Sequence, residues 1–322
     1  QKDGIFDIIR CIETNCHAKN KLVYKTATIS SEVHRMDEQK YNLVQSLAEL
    51  DKLVGLSAKE TDKTAYEDLV EKARIIYEQY PESEDIALRY ARILFILSTK
   101  QTGLKELETT AKKLRVLQQQ FLDSHDIALP YAMILVNLSN KQTVLKEREA
   151  SVEKLQVLQQ KFPKSHDIAL RYAIFLFNLS SKQTELKEIE ATAEKLRVLQ
   201  QKFQDSHDIA LLCAKVLFNL STKQTVLKEQ MATAKKLEKL QQKFQDSHDI
   251  ALRYAWILVN LSSKQTELKQ IEATAEKLEN LQQKFQESHD IALQYAIFLF
   301  NLSIEQTVLK ELKTTAEKLD NL

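Results

Sequence analysis

Hydrophobic positions recur along this chain in a pattern that repeats every 41 residues. In the copy that starts at residue 165, the first run of apolar positions is Ile168, Ala169, Tyr172, Ala173, Leu176 and Leu179. The second run is Leu186, Ile189, Ala193, Leu196, Leu199 and Phe203. Both runs have the three- and four-residue spacing of one helix face, so each copy predicts two helices, A and then B. Helix B is predicted to be about 20 residues and about 30 Å long.

The fixed period organises most of the chain. Copies start near residues 42, 83, 124, 165, 206, 247 and 288, the first much degraded and the last truncated. A single helix pair buries too little apolar surface, so neighbouring pairs stack. We therefore predict an all-α solenoid of stacked antiparallel helix pairs over residues 42–322. Before it, residues 1–41 are predicted to form a helical N-terminal cap or a joint to further sequence.

A Ser-His-Asp triplet opens five of the copies and has the letters of a hydrolase triad. The triplets are Ser124-His125-Asp126, Ser165-His166-Asp167, Ser206-His207-Asp208, Ser247-His248-Asp249 and Ser288-His289-Asp290. A triad needs three side chains that converge from separate parts of a fold. We interpret the triplet as a helix start, with serine as the N-cap and aspartate in the first turn. A metal shared by successive histidines is disfavoured, because every ligand must lie about 2.0–2.1 Å from the ion.

The start of helix B has two candidate placements. A serine followed three residues later by Gln or Glu recurs from Ser57 to Ser303, and Ser180 with Gln183 is the example in the copy at 165. Such a capping box would start helix B directly after the serine. A later start, with Thr184 and its equivalents as N-caps, is the other placement, and the sequence leaves both open.

Pro130 is the residue in helix A that breaks the pattern. It stands where Arg89, Arg171 and Arg253 stand in other copies. A proline inside a helix removes one backbone hydrogen bond and loosens or kinks the turn. We predict a departure from regular stacking near residue 130.

Composition excludes several classes of function. The 322 residues include 46 Lys and Arg against 45 Asp and Glu, and a net charge of +1 provides no field that gathers nucleic acid or a membrane surface. Only three glycines and three prolines are present, which leaves little chain for loops. No apolar run approaches the roughly 20 residues that span a bilayer, and no secretory signal is recognised. We expect a soluble, cytoplasmic protein with no nucleic-acid and no membrane partner.

The three cysteines indicate reduced thiols. Cys213 is predicted to be a small buried side chain, and it replaces a tyrosine that stands in the same column at Tyr90, Tyr131, Tyr172, Tyr254 and Tyr295. Cys11, Cys16 and His17 lack the spacing of a metal or haem-attachment motif. No metal and no cofactor is predicted.

The segment YPESEDIALRYARILF at 80–95 resembles the junction between tetratricopeptide repeats. The matching positions are Pro81 and Pro163 before helix A, Tyr90, Ala91 and Leu94 within it, and Thr192 and Leu196 in helix B. The resemblance extends over residues 42–322, although the family's unit has roughly 34 residues and this one has 41. It implies a right-handed superhelix whose concave groove, lined by the A helices, binds a peptide or partner protein.

Two columns of helix A are the candidate binding residues. The most varied column is predicted to face outward, and it consists of Arg92, Met133, Ile174, Lys215, Trp256 and Ile297. One turn later comes a column of asparagines, at Asn137, Asn178, Asn219, Asn260 and Asn301. An asparagine amide donates and accepts, so this ladder is suited to hold the backbone of an extended peptide. The alternative is that each asparagine closes helix A as a left-handed C-cap residue.

Four classes of function compete. A non-enzymatic scaffold that binds a peptide or partner protein is the leading hypothesis. An enzyme would need a unique constellation of groups, whereas the polar residues here belong to repeated columns. A one-repeat, one-base nucleic-acid reader would need a basic groove. A structural or oligomerisation rod, self-associating through its open ends, or a regulatory sensor arm of a larger multidomain protein is the alternative to the scaffold.

Overall fold

The computed structural model describes residue 35 and residues 38–320, and the predictions for residues 1–34, with Cys11, Cys16 and His17, lie outside this part. The described residues form 13 helices and no strand, which confirms the all-α prediction. The first helix, α1, covers 38–59. The others are α2 (Lys63–Gln79), α3 (Glu84–Lys100), α4 (Leu104–Gln120), α5 (His125–Lys141), α6 (Leu145–Lys161), α7 (His166–Ser180), α8 (Leu186–Lys202), α9 (His207–Lys223), α10 (Leu227–Lys243), α11 (His248–Ser262), α12 (Leu268–Lys284) and α13 (His289–Asp320).

Helix A starts where the sequence predicts. In α7 the hydroxyl oxygen of Ser165 accepts a hydrogen bond from the backbone N–H of Ile168 at 3.2 Å, and Asp167 lies in the first turn. The same N-cap bond forms one repeat later, where Ser206 accepts from Ile209 at 3.3 Å. These bonds satisfy an N–H that has no partner within the helix. The Ser-His-Asp triplet is thus a helix start.

Both predicted starts of helix B are wrong. Ser180 lies in the last turn of α7, where its buried hydroxyl donates to the carbonyl of Phe177 at 2.8 Å. Helix α8 begins at Leu186 after Glu185, and that N-cap makes no side-chain hydrogen bond. The helix has 17 residues, fewer than predicted, because Phe203 is its C-cap residue. The hydroxyl of Ser180 therefore bonds within helix A and does not cap helix B.

A buried Gln–Thr hydrogen bond joins the A–B turn to helix B. Gln183 follows the end of α7, and its side-chain oxygen accepts from the hydroxyl of Thr192 at 3.0 Å. The equivalent bonds in other copies are Thr110 to Gln101, Ser151 to Gln142, Thr233 to Gln224 and Thr274 to Gln265. Because buried polar groups need partners, this bond fixes the turn against helix B. The resemblance to tetratricopeptide repeats named Thr192 only as a matching position in helix B, and this bond was not predicted.

We expect Thr192→Val to lower the free energy of unfolding by about 1–3 kcal/mol, since it leaves the buried oxygen of Gln183 without its donor. Urea denaturation followed by circular dichroism measures the loss. Thr109→Val is the matched control, because the exposed hydroxyl of Thr109 only donates to the carbonyl of Lys105 in its own helix. An equal loss in both variants would contradict a structural role for the Gln–Thr bond.

The chain divides into two compact units, 1–131 and 132–322, and the boundary lies one residue after Pro130. Helix α5 continues through this proline. In the first unit, the hydroxyl of Tyr66 on α2 donates to the carbonyl of Ile93 on α3 at 2.9 Å. Nearby, the rings of Tyr77 and Tyr90 stack with centroids 5.3 Å apart. These contacts join successive helices of the first unit.

The second unit has two layers of helices. The A helices α7, α9, α11 and α13 pack against one another in succession, and each also packs on neighbouring B helices. Within the described residues of this unit, α8 and α10 do not pack directly on each other. Ala169 and Ala173 are fully buried on α7, as are their equivalents on α9 and α11. Small side chains at a helix contact let the axes approach closely, so the A helices form the tighter layer.

The final helix departs from the predicted pattern. Helix α13 runs without a break from His289 to Asp320, through the residues after Ser303 at which the other copies leave helix A. The turns from helix A to helix B in the other copies contain no proline and only one glycine, Gly103, so no residue in most of them forces the chain to leave the helix.

Candidate functional site

The asparagine column lies on the A helices of the second unit. Asn178 is inside α7, two residues before the helix ends at Ser180, and Asn219 is four residues before the end of α9. Among the described residues no non-glycine residue has a positive φ. The C-cap interpretation is therefore wrong, because a left-handed cap must follow the helix. All five asparagines are half-buried, with part of each residue open to solvent.

Not one residue of the varied column is buried. Arg92 and Trp256 are exposed, while Met133, Ile174, Lys215 and Ile297 are half-buried. By contrast, the residue that directly follows this column along the helix is buried, at 134, 175, 216, 257 and 298. Arg92 belongs to the first unit and the others to the second.

Aromatic rings lie beside the asparagines. Phe177 and Phe218 directly precede Asn178 and Asn219 in the chain, and both rings are half-buried. The ring of Phe218 meets that of Trp256 edge to face, with centroids 6.3 Å apart. Such aromatic pairs contribute beyond the area that they bury. The contact joins α9 to α11 at this surface.

Two cations lie over these rings. The ammonium of Lys215 is 5.6 Å from the ring centre of Phe177, and the guanidinium of Arg253 is 5.5 Å from that of Phe218. Each cation reaches the ring of the preceding A helix, so these contacts also join successive repeats. The phenylalanines were not predicted as site residues; their signal is a column that holds only valine or phenylalanine at 136, 177, 218, 259 and 300.

The side-chain amide of one asparagine, Asn178, already makes a hydrogen bond to another residue. The Nδ2 of Asn178 donates to Oδ1 of Asn140 at 2.8 Å. In the next three copies serine or threonine replaces Asn140, and each hydroxyl donates to a carbonyl three residues earlier, as Thr222 does to that of Asn219 at 2.8 Å. The later asparagines therefore do not share this inter-repeat amide contact.

The histidine column joins successive repeats. The Nε2 of His207 lies 2.8 Å from the hydroxyl oxygen of Ser247, which is the N-cap of the next helix A. The His207 ring also meets Phe244 edge to face, with centroids 5.8 Å apart. His166 and His248 make the same pair of contacts one repeat earlier and later. In the part of the chain that the structure describes, no three His, Cys, Asp or Glu residues group as metal ligands.

Comparisons with known proteins show no family. No family model matches the chain, and no curated protein matches it. Among solved structures, a chain described as "Computational Design of Self-Assembling Cyclic Protein Homooligomers" aligns with 85% of this chain and 95% of its own length, at 13% identity. The TM-score is 0.18, so this likeness carries no argument about function. Over the described residues, no helix has the length and apolar character needed to cross a membrane.

Proposed function

We propose that this protein is a non-enzymatic scaffold, similar to tetratricopeptide solenoids, whose A helices bind an extended peptide segment of a partner protein. The observation that carries the proposal is the row of half-open asparagines on successive A helices, with Phe177, Phe218 and Trp256 beside it. Amides bond a peptide backbone through both donor and acceptor groups, and aromatic rings supply contact area for side chains.

The contacts between repeats support a preformed surface. Aromatic and cation contacts hold Phe177, Lys215 and Phe218 on adjacent helices before any ligand arrives. Preorganised side chains bind more tightly, because less freedom is lost on binding. The balanced charge favours a peptide over nucleic acid. We also propose that the protein works in the reducing cytoplasm, since Cys213 is a buried free thiol.

Selection from a random peptide library, followed by calorimetric titration of the selected peptide, tests this function. We expect Asn→Ala at 178, 219 and 260 to weaken binding at least about tenfold, through loss of several backbone hydrogen bonds. The matched control removes three exposed amides from the B helices, by Gln→Ala at 201, 242 and 283. Equal binding by both triple variants, or failure to select any peptide, would overturn the proposed surface.

A structural or self-associating rod is the second candidate. It is favoured by large apolar side chains that lie exposed on α13, at Leu293, Leu299, Phe300 and Ile304. The equivalents of Leu299 at Leu176 and Leu258 are buried by the neighbouring repeats. A mass that rises with protein concentration in analytical ultracentrifugation would favour this candidate over the peptide scaffold.

A further inference from the structure

A cavity of about 600 Å³ opens between the B helices α8 and α10 of the second unit. Its floor is α9, which contributes Cys213 and Leu217. Leu240 adds a further apolar surface from α10. This volume lies within the range of about 300–1,000 Å³ that is typical of small-molecule sites.

The cavity lies at the copy in which cysteine replaces tyrosine. At equivalent positions, Tyr172 and Tyr254 occupy part of this space with a buried phenol ring. The corresponding cavity above Tyr254, between α10 and α12, measures about 360 Å³. Cys213 is itself buried but has no ring. A space that holds an aromatic ring in neighbouring copies is therefore unfilled in this one.

The neighbouring copies also show where the polar end of a ring would point. The hydroxyl of Tyr172 donates to the side-chain oxygen of Gln156 on the preceding B helix, at 3.4 Å. One repeat later, the residue in the column of Gln156 is Arg197. The Nε of Arg197 donates to a carboxylate oxygen of Glu194 at 2.8 Å, which orients the guanidinium. A ring in the Cys213 cavity would thus direct its polar end toward a cation.

The wall of the cavity carries an excess of positive charge. Four cationic side chains and one carboxylate line it, namely Arg197, Lys236, Lys239, Lys243 and Glu194. Lys243 also pairs with Asp205 at 3.1 Å. In a chain with a net charge of +1, this local excess is a specific feature and favours an anion.

The geometry points to a binding site for a small aromatic anion, in which an aromatic ring rests on Cys213 and Leu217 and a carboxylate or sulfonate meets Arg197. The thiol takes no chemical part. Burial raises the pKa of Cys213 to about 12, so the sulfur remains protonated near neutral pH and acts as apolar floor. Lys215, two positions further along α9, lies about 200° around the helix axis, so this site is separate from the proposed peptide surface.

Fluorescence titration with 8-anilinonaphthalene-1-sulfonate, which combines aromatic rings with one anionic group, tests the site. Cys213→Tyr restores the residue of the neighbouring copies and fills the cavity, and we expect it to lower the affinity at least about tenfold. Arg197→Gln introduces the residue that stands in the same column at Gln156, and it keeps the cavity. We expect it to lower the affinity for the sulfonate probe by about tenfold as well. Binding of N-phenyl-1-naphthylamine, the same rings without the charge, should be unchanged by Arg197→Gln.

Two results would overturn the site. One is an unchanged affinity of the sulfonate for a Cys213→Tyr protein that keeps its helical circular dichroism. The other is an equal effect of Arg197→Gln on the charged and the neutral probe. If Cys213→Tyr fails to fold, Arg197→Gln decides alone, because the exposed Arg197 side chain leaves the core intact. Since its variants leave the asparagines untouched, the test is independent of the peptide experiment.

Discussion

Phe175→Ala is expected to lower the free energy of unfolding by about 3–5 kcal/mol. The ring of Phe175 is fully buried on α7, at a column whose other members Ile134, Val216, Ile257 and Phe298 are also buried. Truncation removes the transfer free energy of the ring and leaves a cavity, because the surrounding helices relax only in part. Urea denaturation followed by circular dichroism measures the change.

The matched control is Phe300→Ala on α13, where the same side chain is 65% exposed. Removal of an exposed ring should change the free energy of unfolding by less than about 0.5 kcal/mol. Because stability in a stacked array is distributed over repeats, the Phe175 variant is also expected to unfold over a broader range of urea. Losses of similar size in the two variants would mean that the core does not lie where the structure places it.

Pro130→Leu is expected to stabilise the protein by up to about 3 kcal/mol. Pro130 lies inside α5, and its nitrogen has no hydrogen to donate to the carbonyl of Asp126 one turn earlier. Leucine occupies the same column at Leu212, so the repeat accommodates this side chain. The substitution restores the hydrogen bond and removes the steric clash of the proline ring. Thermal and urea unfolding measure the gain.

The reverse substitution provides the control. Leu212→Pro introduces the same interruption into α9, and we expect a loss of about 3 kcal/mol. A Pro130→Leu protein with unchanged stability would show that α5 has adapted fully to its proline. Hydrogen exchange of the backbone N–H groups near residue 130 then localises the effect, since these groups exchange faster where the turn is loose.

The beginnings of the A helices were predictable because their signals are local. Ser165 caps α7 through its own side chain, and the apolar spacing of three and four residues needs no partner to be recognised. The end of helix A was not predictable in this way. Ser180 fits a capping box by its letters, yet it lies within α7, where a bond to Phe177 competes with capping.

The candidate site was predictable only in part. Asparagines repeated every 41 residues identified a surface of helix A, but the interpretation as C-caps failed, because the helices continue beyond Asn178 and Asn219. The rings of Phe177 and Phe218 were not among the predicted site residues. Their role as neighbours of Lys215 and Trp256 depends on contacts across repeats, which no local pattern contains.

By itself the sequence determined the period, the two helices per repeat, the N-caps of the A helices and the apolar faces, because each depends on residues within one or two helical turns or on direct comparison of the copies. Tertiary structure decided where helix A turns into helix B, how α13 continues through Ser303, and which side chains meet between repeats. It also decided that the cavity above Cys213, where one tyrosine ring is lost, is larger than the one above Tyr254 and is lined mainly by cations. The physical reason is that these features depend on packing between segments about 40 residues apart in the chain.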